Sequence, residues 1–102
     1  MTNLLFVNCN CENFVVRATC ESIVDTALKF NCPPSVIIKL NHLTEQPSIN
    51  QLLLIRRARG RLYRVKVGDS LRSLSLKSGK DIEHILAYNC ISDIFPGIII
   101  EL

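Results

Sequence analysis

The side chains that could do chemistry in this chain are few and scattered. There are five cysteines, Cys9, Cys11, Cys20, Cys32 and Cys90, and two histidines, His42 and His84. An odd cysteine count argues against a fully paired secreted framework and for a reduced chain that uses cysteine as a small apolar side chain. Disulfides and a metal site stay open as alternatives. Cys9-x-Cys11 with Cys20, Cys32 or His42 could gather zinc, but the spacing is not the usual Cys-x₂₋₄-Cys. Neither histidine has a matched acid or nucleophile. No acid/base pair flanks a nucleophile, and no glycine loop is built for phosphate. The expectation is therefore a non-catalytic protein with no cofactor and no metal. One charged run stands out, Arg56-Arg-Ala-Arg-Gly-Arg61, which could grip phosphates or serve as a solvated linker. The net charge of +3 is mild, so composition does not point to nucleic acid as a partner.

The elements that must position these residues follow from periodicity. With 102 residues, 48% hydrophobic and 21% charged, the chain suffices for one small domain or two very small ones, each with a thin core. No run reaches membrane-span length. Leu4–Val7 is apolar and could add an edge strand, but it lacks the charged start and cleavage site of a signal peptide. Phe14–Ala18 alternates as a strand, and Thr19-Cys20-Glu21-Ser22 turns. Ser22 with Asp25 three residues on is a capping-box-like pair. Ile23, Thr26, Ala27 and Phe30 then mark one helix face. Asn31 suits a left-handed helix end and Pro34 a first helical residue. Val36, Ile37 and Leu40 mark a second helix, and Gln51–Ile55 reads as a strand.

The same order recurs. Tyr63–Val67 is a strand that turns at Gly68-Asp69. Ser70 caps a helix carrying Leu71, Leu74 and Leu76, which Gly79 ends. Asp81 caps another helix with Ile82, Ile85 and Leu86 inward, and Ile98–Leu102 closes as a strand. Residues 14–18 match 63–67 at a shift of 49, 22–41 match 70–89 at 48, and 50–55 match 97–102 at 47. The shifts change only in loops, where insertions cost least. The reading is an α+β fold of two tandem β-α-α-β units: an extension (1–13), a first unit (14–55), a basic linker (56–62) and a second unit (63–102).

The second unit, Tyr63-x-Val65-Lys66-x-Gly68-Asp69-Ser70-Leu71, then Leu74, Lys77-Ser78-Gly79, Ile82, Ile85-Leu86, Asn89 and Pro96-Gly97, resembles a LysM domain over about 40 residues. The first unit is a divergent match that keeps Ser22-Ile23, Ala27, Lys29-Phe30-Asn31, Ile37 and Asn41. It has Thr19-Cys20-Glu21 where the second has Gly68-Asp69, and Asn50-Gln51 resembles the family's Gly-Gln. The resemblance implies two antiparallel strands with both helices on one face. It also implies a module that binds N-acetylglucosamine-containing glycans, peptidoglycan or chitin-type, in a groove between two loops.

Carried over by position, one wall of the second groove is Gly68, Asp69, Ser70, Leu71 and Arg72. The other is Cys90, Ile91, Ser92, Asp93 and Ile94. In the first unit the walls are Cys20, Glu21, Ser22 and Ile23, with His42, Leu43, Thr44 and Glu45. With no Trp, two Tyr and four Phe, sugar stacking on rings would not dominate, and two weak units would act through avidity. From the residues alone, Asp69 reads as a helix-capping acid, Asn41 and Asn89 as helix-ending residues bonded to local backbone, and Cys20 and Cys90 as small fillers. The other reading, of a different class, is a protein-partner or self-association module, as in spore coat or envelope assembly. It is motivated by the cysteines, the degenerate first unit and Ile98 where the family favours Gln. Localisation at a cell wall or spore envelope is expected, with cytoplasmic residence as the alternative.

Overall fold

The computed structural model describes residues 13–102; the expected strand at Leu4–Val7 and the Cys9-x-Cys11 zinc ligands lie outside them. The element order is β1 (Asn13–Arg17), α1 (Ile23–Phe30), α2 (Pro34–Leu40), β2 (Leu52–Arg56), β3 (Leu62–Arg64), α3 (Leu71–Ser78), α4 (Ile82–Tyr88) and β4 (Ile99–Glu101). β1 pairs antiparallel with β2, Val15 facing Leu54 and Arg17 facing Leu52. β3 pairs antiparallel with β4, Tyr63 facing Ile100. The architecture is two β-α-α-β units with two small antiparallel sheets.

The helix ends explain the chain's local choices. Ser22 Oγ accepts from Asp25 N at 3.1 Å, while Ser70 and Ser73 form a reciprocal capping box. The full box is thus in the second unit, since Ser73 supplies the returning hydroxyl. Pro34 opens α2 as expected. Asp81, expected to cap, makes no side-chain cap bond. Left-handed backbone recurs at matched positions: Asn31 and Gly79, His42 and Cys90, Asn50 and Gly97. The two units therefore share backbone conformations that few residues adopt.

Each unit has its own core. The first is Ala27, Cys32, Val36, Ile37, Leu53 and Ile55 with Ala18; the second is Val65, Leu74, Ile85 and Ile100. Complete burial of a Val, Leu or Ile contributes roughly 1.5–3 kcal/mol, so four such residues make a thin core. Two expected inward residues are not inward: Leu76 is 78% exposed and Ile82 37%. With α3 only two turns long, Leu71 and Leu74 fill the covered face and leave Leu76 on the other side.

The units dock through the outer face of the second sheet. Because strand side chains alternate, Ile98, Ile100 and Leu102 pack toward the second core while Ile99 and Glu101 point away from it. Yet Ile99 is only 5% exposed and Glu101 3%, because α2 packs on β4 and the stretch 58–60 folds over it. The N–H groups of Arg59 and Gly60 donate to Glu101 Oε2, both at 2.8 Å. Ser35 Oγ donates to Asn89 O at 2.7 Å and Ala58 N to Asn31 O at 2.7 Å. The arginine run is therefore no simple solvated linker. Arg56 is half-buried with its guanidinium 4.2 Å from the Tyr88 ring centre, and Arg57 lies 5.0 Å from that of Phe14.

Candidate functional site

An asparagine at the end of each second helix anchors the loops that could form a site. Asn41 Nδ2 donates to Ile37 O and Leu54 O, and Leu54 N donates to Asn41 Oδ1. Asn89 does the same with Ile85 O, Glu101 O and Glu101 N, at 2.8, 3.0 and 2.6 Å. Each side chain closes its helix and ties it to the unit's last strand. The expectation of local backbone bonding thus holds, and the bond to the strand is the part that sequence reasoning missed.

In the first unit the two predicted walls meet. A groove of about 310 Å³ is lined by Ile23, Ile38, Leu43, Thr44, Glu45 and Gln46. Three of the six lining residues, Ile23, Ile38 and Leu43, are apolar. Gln46 Nε2 donates to Glu21 O at 2.8 Å, bridging the loop after α2 to the loop after β1. Thr19 Oγ1 donates to Glu21 Oε1, Glu21 N donates to Thr19 Oγ1, and Lys29 Nζ lies 3.8 Å from the Glu21 carboxylate. Of the expected residues, Ile23, Leu43, Thr44 and Glu45 line the groove, and Glu21 borders it through its carbonyl. Ser22 spends its hydroxyl on the helix cap, and Cys20 and His42 are exposed. Ile38 and Gln46 were not foreseen. Ile38 sits just off the inward stripe of α2, and Gln46 is one polar residue among many in its loop.

In the second unit Leu71, Ile91 and Ile94 pack on one core cluster, which draws the two walls together. Gly68 takes φ +94°, and no atom lies near where a Cβ would stand, so the turn needs glycine for its backbone conformation rather than for space. Asp69 is committed to the turn: it accepts from Tyr63 Oη and from Lys66 N. The Tyr63 bond, then the Lys66 backbone bond, hold the Asp69 carboxyl below the ordinary 3.8, and the same bond pushes the Tyr63 phenol above the ordinary 10.0. Ser70 is used in the capping box. Arg72, Ser92 and Asp93 are exposed, with Asp93 Oδ1 accepting from Ile94 N at 2.8 Å. Cys90 instead packs against the first unit's core, so its side chain serves the junction between units. Burial pushes the Cys32 thiol up, which disfavours a reactive thiolate.

The described cysteines, Cys20, Cys32 and Cys90, are free thiols. Among the described residues no group of three or more His, Cys, Asp or Glu is placed to hold a metal. No described helix is long and apolar enough to cross a membrane.

One family model matches part of the chain. Residues 63–100 match the family model described as LysM domain. No curated protein matches the chain. Among solved structures, the spore cortex-lytic enzyme SleL of Bacillus cereus is similar at 25% identity and a TM-score of 0.42, over 88% of this chain. SleL of Bacillus megaterium QM B1551 is similar at 27% identity and a TM-score of 0.44, over 89% of this chain. The chain spans 22% of the length of each.

Proposed function

From the premise that residues 63–100 are a LysM domain, a type of module that binds glycans, we propose that this chain is a non-catalytic carbohydrate-binding protein. Its ligand class is N-acetylglucosamine-containing glycan of the peptidoglycan or chitin type, and its place is a cell wall or spore envelope. The observation that carries the reading beyond the matched domain is the first-unit groove. Its six lining residues, Ile23, Ile38, Leu43, Thr44, Glu45 and Gln46, stand 48 positions before Leu71, Leu86, Ile91, Ser92, Asp93 and Ile94. An apolar floor suits an acetamido methyl, and loop backbone and short polar groups suit its amide and hydroxyls. Two such sites on docked units would act through avidity. Titration of chitotetraose and pull-down on insoluble peptidoglycan test this. Binding in the millimolar range or tighter is expected, and the absence of binding to both would sink the proposal.

A second reading, a protein-assembly module, is favoured by one observation. The outer face of the first sheet carries Val15 at 58% and Leu52 at 59% exposure, whereas the corresponding face of the second sheet is covered. Light scattering after size exclusion tests it: self-association that Leu52→Ser abolishes would support it, and a monomer at all concentrations argues against it.

A further inference from the structure

We propose that the first-unit groove takes a partially de-N-acetylated glucosaminyl saccharide, seating one acetamido methyl on its floor and the ammonium of a neighbouring sugar at Glu45. This rests on the glycan-binding reading above and narrows its substrate class.

Of the polar residues lining the groove, Gln46 gives its amide nitrogen to Glu21 O. The nearby Glu21 carboxylate is engaged by Thr19 and faces Lys29. Glu45 is exposed and lines the same cavity, but it has no hydrogen bond or ion pair with any described residue. No described cationic side chain lines the groove with it. An incoming ammonium would gain a charge-assisted hydrogen bond there without displacing an existing partner. A lactyl carboxylate on the neighbouring sugar would instead meet like charge. The apolar floor of Ile23, Ile38 and Leu43 still calls for an acetamide on the sugar it contacts, so the fitting ligand carries both groups.

The second unit differs at the matched positions. Asp93, in place of Glu45, is shorter and turned onto Ile94 N at 2.8 Å. Arg72, exposed beside Leu71, stands where the first unit has Val24. The preference for an amine therefore belongs to the first groove.

The test is calorimetric titration of the full chain at low ionic strength with chitotetraose, with the same tetramer carrying one free amine, and with a lactyl-bearing oligosaccharide. The amine-bearing tetramer should bind about 1.5- to 5-fold tighter than chitotetraose, the range of a solvent-exposed ion pair. That advantage should vanish in about 0.5 M salt and in Glu45→Gln, whose thermal midpoint should match the parent's because Glu45 makes no hydrogen bond or ion pair with any described residue. Chitotetraose binding as well as the amine-bearing tetramer, or Glu45→Gln weakening both equally, would overturn the proposal and leave glycan binding standing. Failure of every oligosaccharide to bind would remove both.

Discussion

The two units share a skeleton and differ in what they turn outward. Both close the second helix with an asparagine tied to the last strand, and both bend through left-handed backbone at the same three places. Their first turns are built differently. One holds its acid, Glu21, with a threonine and a lysine; the other holds Asp69 with a tyrosine and a backbone N–H. Their sheets also differ: Ile99 and Glu101 lie under the other unit, while Val15 and Leu52 lie bare. The lesson is that the skeleton is kept by buried hydrogen bonds with few chemical substitutes, while turns and outer faces can be rebuilt with other residues.

The sharpest way to break this comparison is at the paired asparagines. Asn89→Ala would strand the N–H and C=O of Glu101 in a fully buried setting, at a cost on the order of 3 kcal/mol. Asn41→Ala, where the site is half-buried and water can replace part of the bonding, should cost about 1–2 kcal/mol. Urea unfolding of both variants measures the difference; equal losses would mean that burial does not set the weight of the staple.

Next is the strap that covers only the second sheet. A Cβ at Gly60 would collide with the carbonyl oxygen of Leu102, so Gly60→Ala must shift the strap off Glu101. A loss of about 1–3 kcal/mol is expected, the usual cost of overpacking, and thermal unfolding reads it. An unchanged midpoint would show that the strap yields freely.

The smallest effect separates the two turns by pH. Asp69 is held below 3.8 by Tyr63 and Lys66. A depressed carboxylate stabilises the fold above its unfolded value and loses that contribution as pH falls through its folded value. The parent should therefore lose stability more steeply below about pH 3.8 than Tyr63→Phe does. On the alkaline side the raised Tyr63 contributes stability that is present below 10.0 and lost as pH rises past its folded value. Phe removes that loss too. Coincident pH profiles of the two proteins would refute the linkage.

Much of the skeleton was legible because it is local. Pro34, Asn31, Gly79 and Ser70 act within a few residues of themselves, and the period of the apolar residues located the helices. Leu76 and Ile82 misled because a two-turn helix has room for few inward side chains. Cys90 was placed in a groove wall by position, but its side chain turns to the first unit's core, and Ile38 and Gln46 entered the first groove unannounced. Those assignments depend on which unit lies beside which loop, and periodicity carries no such information.

By itself, then, the sequence determined two β-α-α-β units, their turns, the serine caps and the paired asparagines, since each is set by short-range sterics and hydrogen bonding. Only the tertiary structure decided that Arg56 and Glu101 belong to a junction, that one sheet face is covered and the other bare, and that Glu45 in its groove has no partner among the described residues. Each of these depends on residues far apart in the chain, where burial and charge balance follow from packing rather than from neighbours in sequence.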